Sequence, residues 1–309
     1  MHVKQFKKAP SLDSNPIVKI HKMNFLRINI LLFCLASIMV SAQQKQTFKQ
    51  YEDIIRTQFS LMISEPNDSL KSNINNHIVS LFKEVLEDLN SFGYPFDSLK
   101  NISKLNSADG FVRIINWNMP IQNGEFQYFG FIQLLDKNKK ELKLFQLNDQ
   151  SKTIQNQEHA VSSEKNWYGA LYYKILTTKW GKKTYYTLLG WDGNDNFTNK
   201  KLVEILYFDD EKPVFGLPIF KAGQNIQNRL IFEYSEQAKM MLKYDEKLDI
   251  IVWDHLAPSQ PNFIGQYMYY GPDLSQDGIQ FIDGYWILKP NLDLRNFEKS
   301  TGKSIKKSF

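Results

Sequence analysis

One cysteine, Cys34, is the whole thiol content of this 309-residue chain. It lies in an apolar run, residues 28–40, with Arg27 before it and Val40-Ser41-Ala42 after it. A basic lead, a short apolar core and small residues at a cut site make a secretory signal peptide. The run is too short for comfortable membrane spanning, which takes about 20 residues. Lipidation of Cys34 is excluded because bulky Phe33 stands where a lipoprotein signal has a small residue. Cleavage after Ala42 is the expectation, with Met23 opening a complete leader of its own. The remaining chain then has no cysteine, so disulfides and thiolate catalysis drop out and an ordinary core must carry stability.

Basic excess is missing as well. The chain counts 38 basic and 33 acidic residues, a net +5. Residues 1–42 hold six basic and one acidic residue, so 32 of each remain. A neutral chain lacks the footprint for nucleic-acid binding. Histidines are few. Past the leader only His77, His159 and His255 stand, and no HExxH, P-loop or nucleophile elbow occurs. Clustered His or Cys for zinc is absent. Among catalytic candidates this leaves Asp254-His255 in "IVWDHLAPSQP", whose side chains point apart on a strand unless the chain turns there, and pairs of distant aspartates for glycosidase-like hydrolysis.

What is present is aromatic and β-branched. Aromatics make up 14% of the chain. Residues 47–63 put Phe48, Tyr51, Ile54, Ile55, Phe59 and Met62 at helical spacing, and 67–93 repeat the pattern through Leu70, Ile74, Ile78, Leu81, Phe82, Val85 and Leu89. Pro66 and Asn67 separate the two, Asp68 or Ser69 is placed to cap the second, and Gly93 and Pro95 end it. A helical hairpin over 43–95 follows. From 107 to 290 short aromatic runs alternate with turn formers, as in "TKWGKKTYY", "DKNKKELK" and "LKYDEKLDIIVW". The fold expected is mainly β (α+β): the α-hairpin, then an antiparallel meander of about ten strands closing as a sandwich, an open barrel or a small propeller. "TNKKLVEILYF" reads as a short helix with Thr198 as its cap, 147–166 as a long loop, and 291–309 as a polar, basic tail.

Two loops carry oxygen ligands at calcium-like spacing. In "LLGWDGNDNFTNKK", Asp192, Asn194 and Asn196 alternate, although Phe197 stands where an EF-hand has Gly. In "YGPDLSQDGIQFIDG", Asp273, Ser275 and Asp277 alternate before Gly278, with Asp283 as closing acid. Turn chemistry explains the same residues, because Asn, Asp and Gly bond their own backbone or take positive φ. A third candidate surface is aromatic. Trp167, Tyr168, Tyr172 and Tyr269 are the rings proposed to stack on a glycan, although alternate strand residues line a core.

Three stretches, "LLGWDGNDNFTNKK", "VWDHLAP" and "YGPDLSQDG…GYW", resemble an uncharacterised family of secreted proteins from Bacteroidota-type bacteria. The resemblance implies an exported envelope protein and no particular reaction. The expectation is therefore a protein of the periplasm, outer-membrane surface or extracellular space, without an integral span once cleaved. It binds an envelope protein or a glycan and uses no cofactor, or calcium as a stabiliser; a hydrolase is the competing class.

Overall fold

A computed structural model describes residues 46–293. The leader and most of the basic tail lie outside them. Two helices come first, α1 (Phe48–Ser64) and α2 (Asp68–Leu86). The cap of α2 is Asn67, not Asp68 or Ser69, which already lie in the helix; its side chain accepts from the Leu70 N–H at 3.0 Å and satisfies one of the donors a helix start leaves unpaired.

A four-stranded antiparallel sheet follows in chain order: β1 (Ser103–Asn106), β2 (Val112–Pro120), β3 (Phe126–Leu135) and β4 (Leu142–Asn148). Next come β5 (Ser162–Ser163), β6 (Leu171–Trp180), β7 (Lys183–Asp192), β8 (Thr198–Asp209) and β9 (Lys212–Phe215), a second sheet ordered β5-β9-β8-β7-β6. The third sheet is built from β10 (Phe220–Ala222), β11 (Asn225–Gln227), β13 (Leu242–Asp245), β14 (Ile250–Pro258), β15 (Tyr270–Ile282) and β16 (Tyr285–Lys289). The intervening β12 (Arg229–Ser235) returns to pair with β8. No barrel closes, and the sandwich is the form taken. One pair departs from the antiparallel rule: β10 runs parallel to β16, with Phe220 opposite Trp286.

Alternation along β2 shows how the layers stack. Ile115, Trp117 and Met119 pack with the helices, while Val112 and Ile114 pack against the second sheet. The second sheet is then covered again: Leu188, Leu202 and Leu206 meet the first sheet, and Leu189, Val203 and Ile205 meet the third. Three apolar layers result, and the middle sheet is buried on both faces.

That double burial corrects one expectation. Residues 198–209 are strand β8, not a helix capped by Thr198. A strand covered on both sides loses its polar–apolar alternation. Its buried acid, Glu204, looked like a helix former but is held by Arg229 opposite it. Hairpin turns do follow local chemistry. Asp283 (φ 49°) and Gly284 (φ 88°) form the two-residue link from β15 to β16, and Asp-Gly suits two positive φ values in succession.

Candidate functional site

The aromatic platform does not exist as a surface. Trp167, Tyr168 and Tyr172 are fully buried. The Trp167 Nε1–H donates to the Tyr172 hydroxyl at 2.7 Å, and that hydroxyl donates to Glu204. Arg229 Nε donates to Glu204 at 2.7 Å, its Nη1 donates to the Gln157 carbonyl at 2.6 Å, and its guanidinium lies 4.9 Å over the Tyr168 ring. Burial lifts the Tyr172 phenol well above its ordinary value. Burial is the largest single influence on Arg229 and would lower it, but the Glu204 charge and hydrogen bond, with Tyr172 and Tyr168, together outweigh it and hold the guanidinium more firmly protonated. Tyr269 is the one ring of the four at the surface, stacked on Phe263 at 4.0 Å.

In the first loop the oxygens serve the chain itself. Buried Asp192 accepts from the Tyr128 hydroxyl at 3.0 Å and from the Asn194 N–H at 2.9 Å, and desolvation raises its carboxyl. Asn194, at φ 45°, donates from its amide to Thr198 at 2.6 Å, and Asn196 donates to the Asn123 carbonyl at 2.9 Å. The three side chains diverge to three different partners. Asp283 sits in its hairpin turn. Among the described residues no three His, Cys, Asp or Glu side chains are grouped to hold a metal ion.

The second loop does something its spacing did not announce. It is not a loop but part of β15, paired with β14. Trp253 lies opposite Asp277 and Asp254 opposite Gln276; the register then jumps so that Leu256 meets Pro272. Asp273, Leu274 and Ser275 thus bulge out opposite His255 alone. Leu274 takes φ 74°, rare for a branched side chain, and its side chain is 99% exposed. Asp273 locks the bulge by accepting from the Ser275 N–H at 3.0 Å and its hydroxyl at 2.7 Å. Bulges of this kind re-aim side chains.

The residues re-aimed here are acids toward an imidazole. His255 Nδ1 is 2.6 Å from Asp277 Oδ2, and Nε2 is 4.0 Å from Asp273 Oδ2. Asp277 Oδ1 is steadied by the Asn291 N–H at 2.9 Å. The partner of His255 is therefore Asp277 and not its neighbour Asp254. Asp254 accepts instead from the Met241 N–H at 2.8 Å and from Gln276 at 3.2 Å. The hydrogen bond to Asp277 raises His255 above its ordinary value, against partial burial, and the charges of Asp277 and Asp273 add to the rise.

His255 and Asp277 stand at a pocket of about 300 Å³. Its walls are mainly apolar, from Phe220, Leu230, Phe232, Trp253, Ile279 and Leu288, with Lys221 and Gln227 as further polar groups. The Phe232 and Trp253 rings lie 4.7 Å apart. An oriented imidazole with Nε2 available, beside a greasy cavity, can donate to or accept from a bound polar group. Among the described residues no Ser, Thr, Cys or Tyr lines the pocket. The imidazole lies between the Asp273 and Asp277 carboxylates, where a glycosidic oxygen would have to sit. Sequence reasoning named His255, Asp273 and Asp277 separately and missed Lys221, Gln227 and the apolar walls. Nothing in a single sequence reports the bulge that joins them.

Compared with known proteins, the chain matches no family model, no curated protein and no solved structure.

Proposed function

We propose that this chain is an exported binding protein whose site is the His255 pocket, and that its ligand is a small amphiphile. The ligand has an apolar body that fits among Phe232, Trp253 and Leu288, and one polar head that accepts from or donates to His255 Nε2. The observation that carries this reading is the pairing of an apolar cavity with an imidazole held by Asp277. Export is supported by the leader in residues 23–42. Among the described residues, no helix is long and apolar enough to cross a membrane.

Binding is tested with a fluorescent naphthalene probe displaced by medium-chain alcohols and carboxylic acids. Saturable displacement is expected, weakened by His255→Ala and abolished by Gln227→Trp, which fills the mouth from the edge strand. Displacement unchanged in Gln227→Trp would put the ligand elsewhere. The same histidine makes stability pH-dependent. Its raised value means that the protonated form stabilises the fold: the contribution is complete below pH 6.5 and is lost as pH rises through the raised value. His255→Asn is expected to flatten the unfolding midpoint across that window; an identical slope in the variant would remove His255 as its source.

The Asp-His couple favours a second reading, water activation by His255 in a hydrolase. Turnover of aryl esters that disappears in Asp277→Asn would select it over binding. Calcium has no role in either reading. Treating the protein with EDTA and then adding millimolar calcium is expected to leave the midpoint unchanged. A bound ion at a hundredfold excess over Kd would add about 2.7 kcal/mol, several degrees at this size. Such a rise, abolished by Asp192→Ala or Asp273→Ala, would overturn the turn-only account of these loops.

A further inference from the structure

The loop "GWDGNDN" holds no cluster of metal ligands, yet it is built with care. The face of the middle sheet that presents Leu189 and Val203 to the third sheet continues by two residues to Trp191 and Lys201, paired opposite each other. There it lines an open bowl of about 830 Å³. Phe126 meets Trp191 edge to face at 5.3 Å, and Tyr234 lines the bowl with them. Asn199, Lys201 and Glu236 stand around these rings.

Three observations say what such a bowl takes. Its floor is rigid. A Cβ on Gly193 would lie 2.2 Å from the Phe126 ring and 2.8 Å from Trp191, so the rings rest directly on the backbone. The Gly193 N–H is pinned by the Tyr128 hydroxyl at 2.8 Å, and Asn196 ties this loop to the β2–β3 turn. Preorganisation of this sort lowers the ordering cost of binding. The charges around the bowl balance: Asp195 and Glu236 against Lys201 and Lys239. The lining therefore carries no net charge that would favour a charged ligand. Finally, the polar groups include both donors and acceptors beside an amphipathic ring, which suits a molecule that alternates hydroxyls with apolar C–H faces.

We propose that this bowl is a second ligand site and that it takes a neutral saccharide, one sugar ring lying against Trp191 with its hydroxyls held by Asn199, Lys201 and Glu236. It shares none of its lining residues with the His255 pocket and does not depend on that reading.

The test titrates the purified protein with neutral hexasaccharides of the cello, manno, xylo and chito series, read by calorimetry and by tryptophan fluorescence. At least one is expected to bind saturably. Asn199→Ala and Glu236→Gln, both on the rim, are each expected to weaken it about fivefold, one ordinary hydrogen bond's worth, with the unfolding midpoint unchanged. Trp191→Phe is expected to remove the fluorescence change, and His255→Ala to leave binding intact. Absence of saturable binding by all four series overturns the proposal. So does binding that persists at full strength in the Asn199→Ala/Glu236→Gln double variant.

Discussion

Arg229→Met is expected to be among the most damaging single substitutions in the protein, costing about 3–5 kcal/mol. Both Arg229 and Glu204 are completely buried, with Nη2 2.6 Å from Oε2. Removing the guanidinium strands a carboxylate between two sheets and takes away a donor to the Gln157 carbonyl. It also uncovers the Tyr168 face. At this size each kcal/mol moves the midpoint by roughly 2–4 °C, so a fall of roughly 6–20 °C is the expected result in thermal unfolding. The informative partner is the double variant Arg229→Met/Glu204→Leu. A buried pair replaced as a unit by apolar residues is often near neutral, so much of the loss should return. If the single variant unfolds within a degree or two of the parent, Glu204 is not the buried anion described above.

Trp117→Ala is the second large effect, expected at about 3–5 kcal/mol from the transfer and cavity costs of a fully buried indole. Trp117 is the bolt between the α-hairpin and the first sheet. Its ring meets Phe82 at 5.0 Å, Phe59 edge-on at 5.8 Å and Phe129 stacked at 5.9 Å, and its Nε1–H donates to Asn75 at 2.8 Å. Its loss therefore leaves a void and an unpaired amide oxygen inside α2. Beyond a lower midpoint, the hairpin should come off its seat first, since the middle and third sheets keep their own cores. Limited proteolysis near Pro66 reads this directly. Cleavage there should accelerate in Trp117→Ala and much less in Trp117→Phe. Uniform acceleration across the chain would instead mean that the layers unfold as one unit.

Both predictions turn on residues whose roles differ in legibility. Trp117 sits in "FVRIINWN", a run recognisable as a strand, and a tryptophan there is core by default. Its choice of the helix side over the sheet side depends on the pleat phase of β2, which the helices settle. Arg229 and Glu204 were illegible. A glutamate in "KKLVEILYF" reads as part of an amphipathic helix until a cation from a strand 25 residues later is known to lie opposite. Tyr172 and Tyr173 show the same division. Strand period sends the two rings to opposite faces, with Tyr173, at a bulge in β6, donating to the Leu242 carbonyl of β13; that Tyr172 joins a sealed network with Trp167 does not follow from it.

The site followed the same logic. His255, Asp273 and Asp277 were each visible as chemistry-bearing residues, but the turn chemistry read into this stretch is not what it does: Gly271-Pro272 and Asp277-Gly278 lie within β15, and the chain turns only at Asp283-Gly284, inside a run that reads as one strand. Their convergence depended on a register jump, and register is set by what covers each face.

What the sequence by itself determined is whatever is decided within a few residues: two helical faces, the break at Pro66-Asn67, the hairpin turns at Gly181 and in "LKYDEKLDIIVW", and most of the runs that become strands. These follow from local dihedral preferences and side-chain periodicity, which need no partner. Only the tertiary structure decided that β8 is a strand buried on both faces, that His255 answers to Asp277 across a bulge, and that Trp191 meets Phe126 in an open bowl. Each of those depends on a neighbour brought from far along the chain, where burial and charge pairing outweigh local propensity.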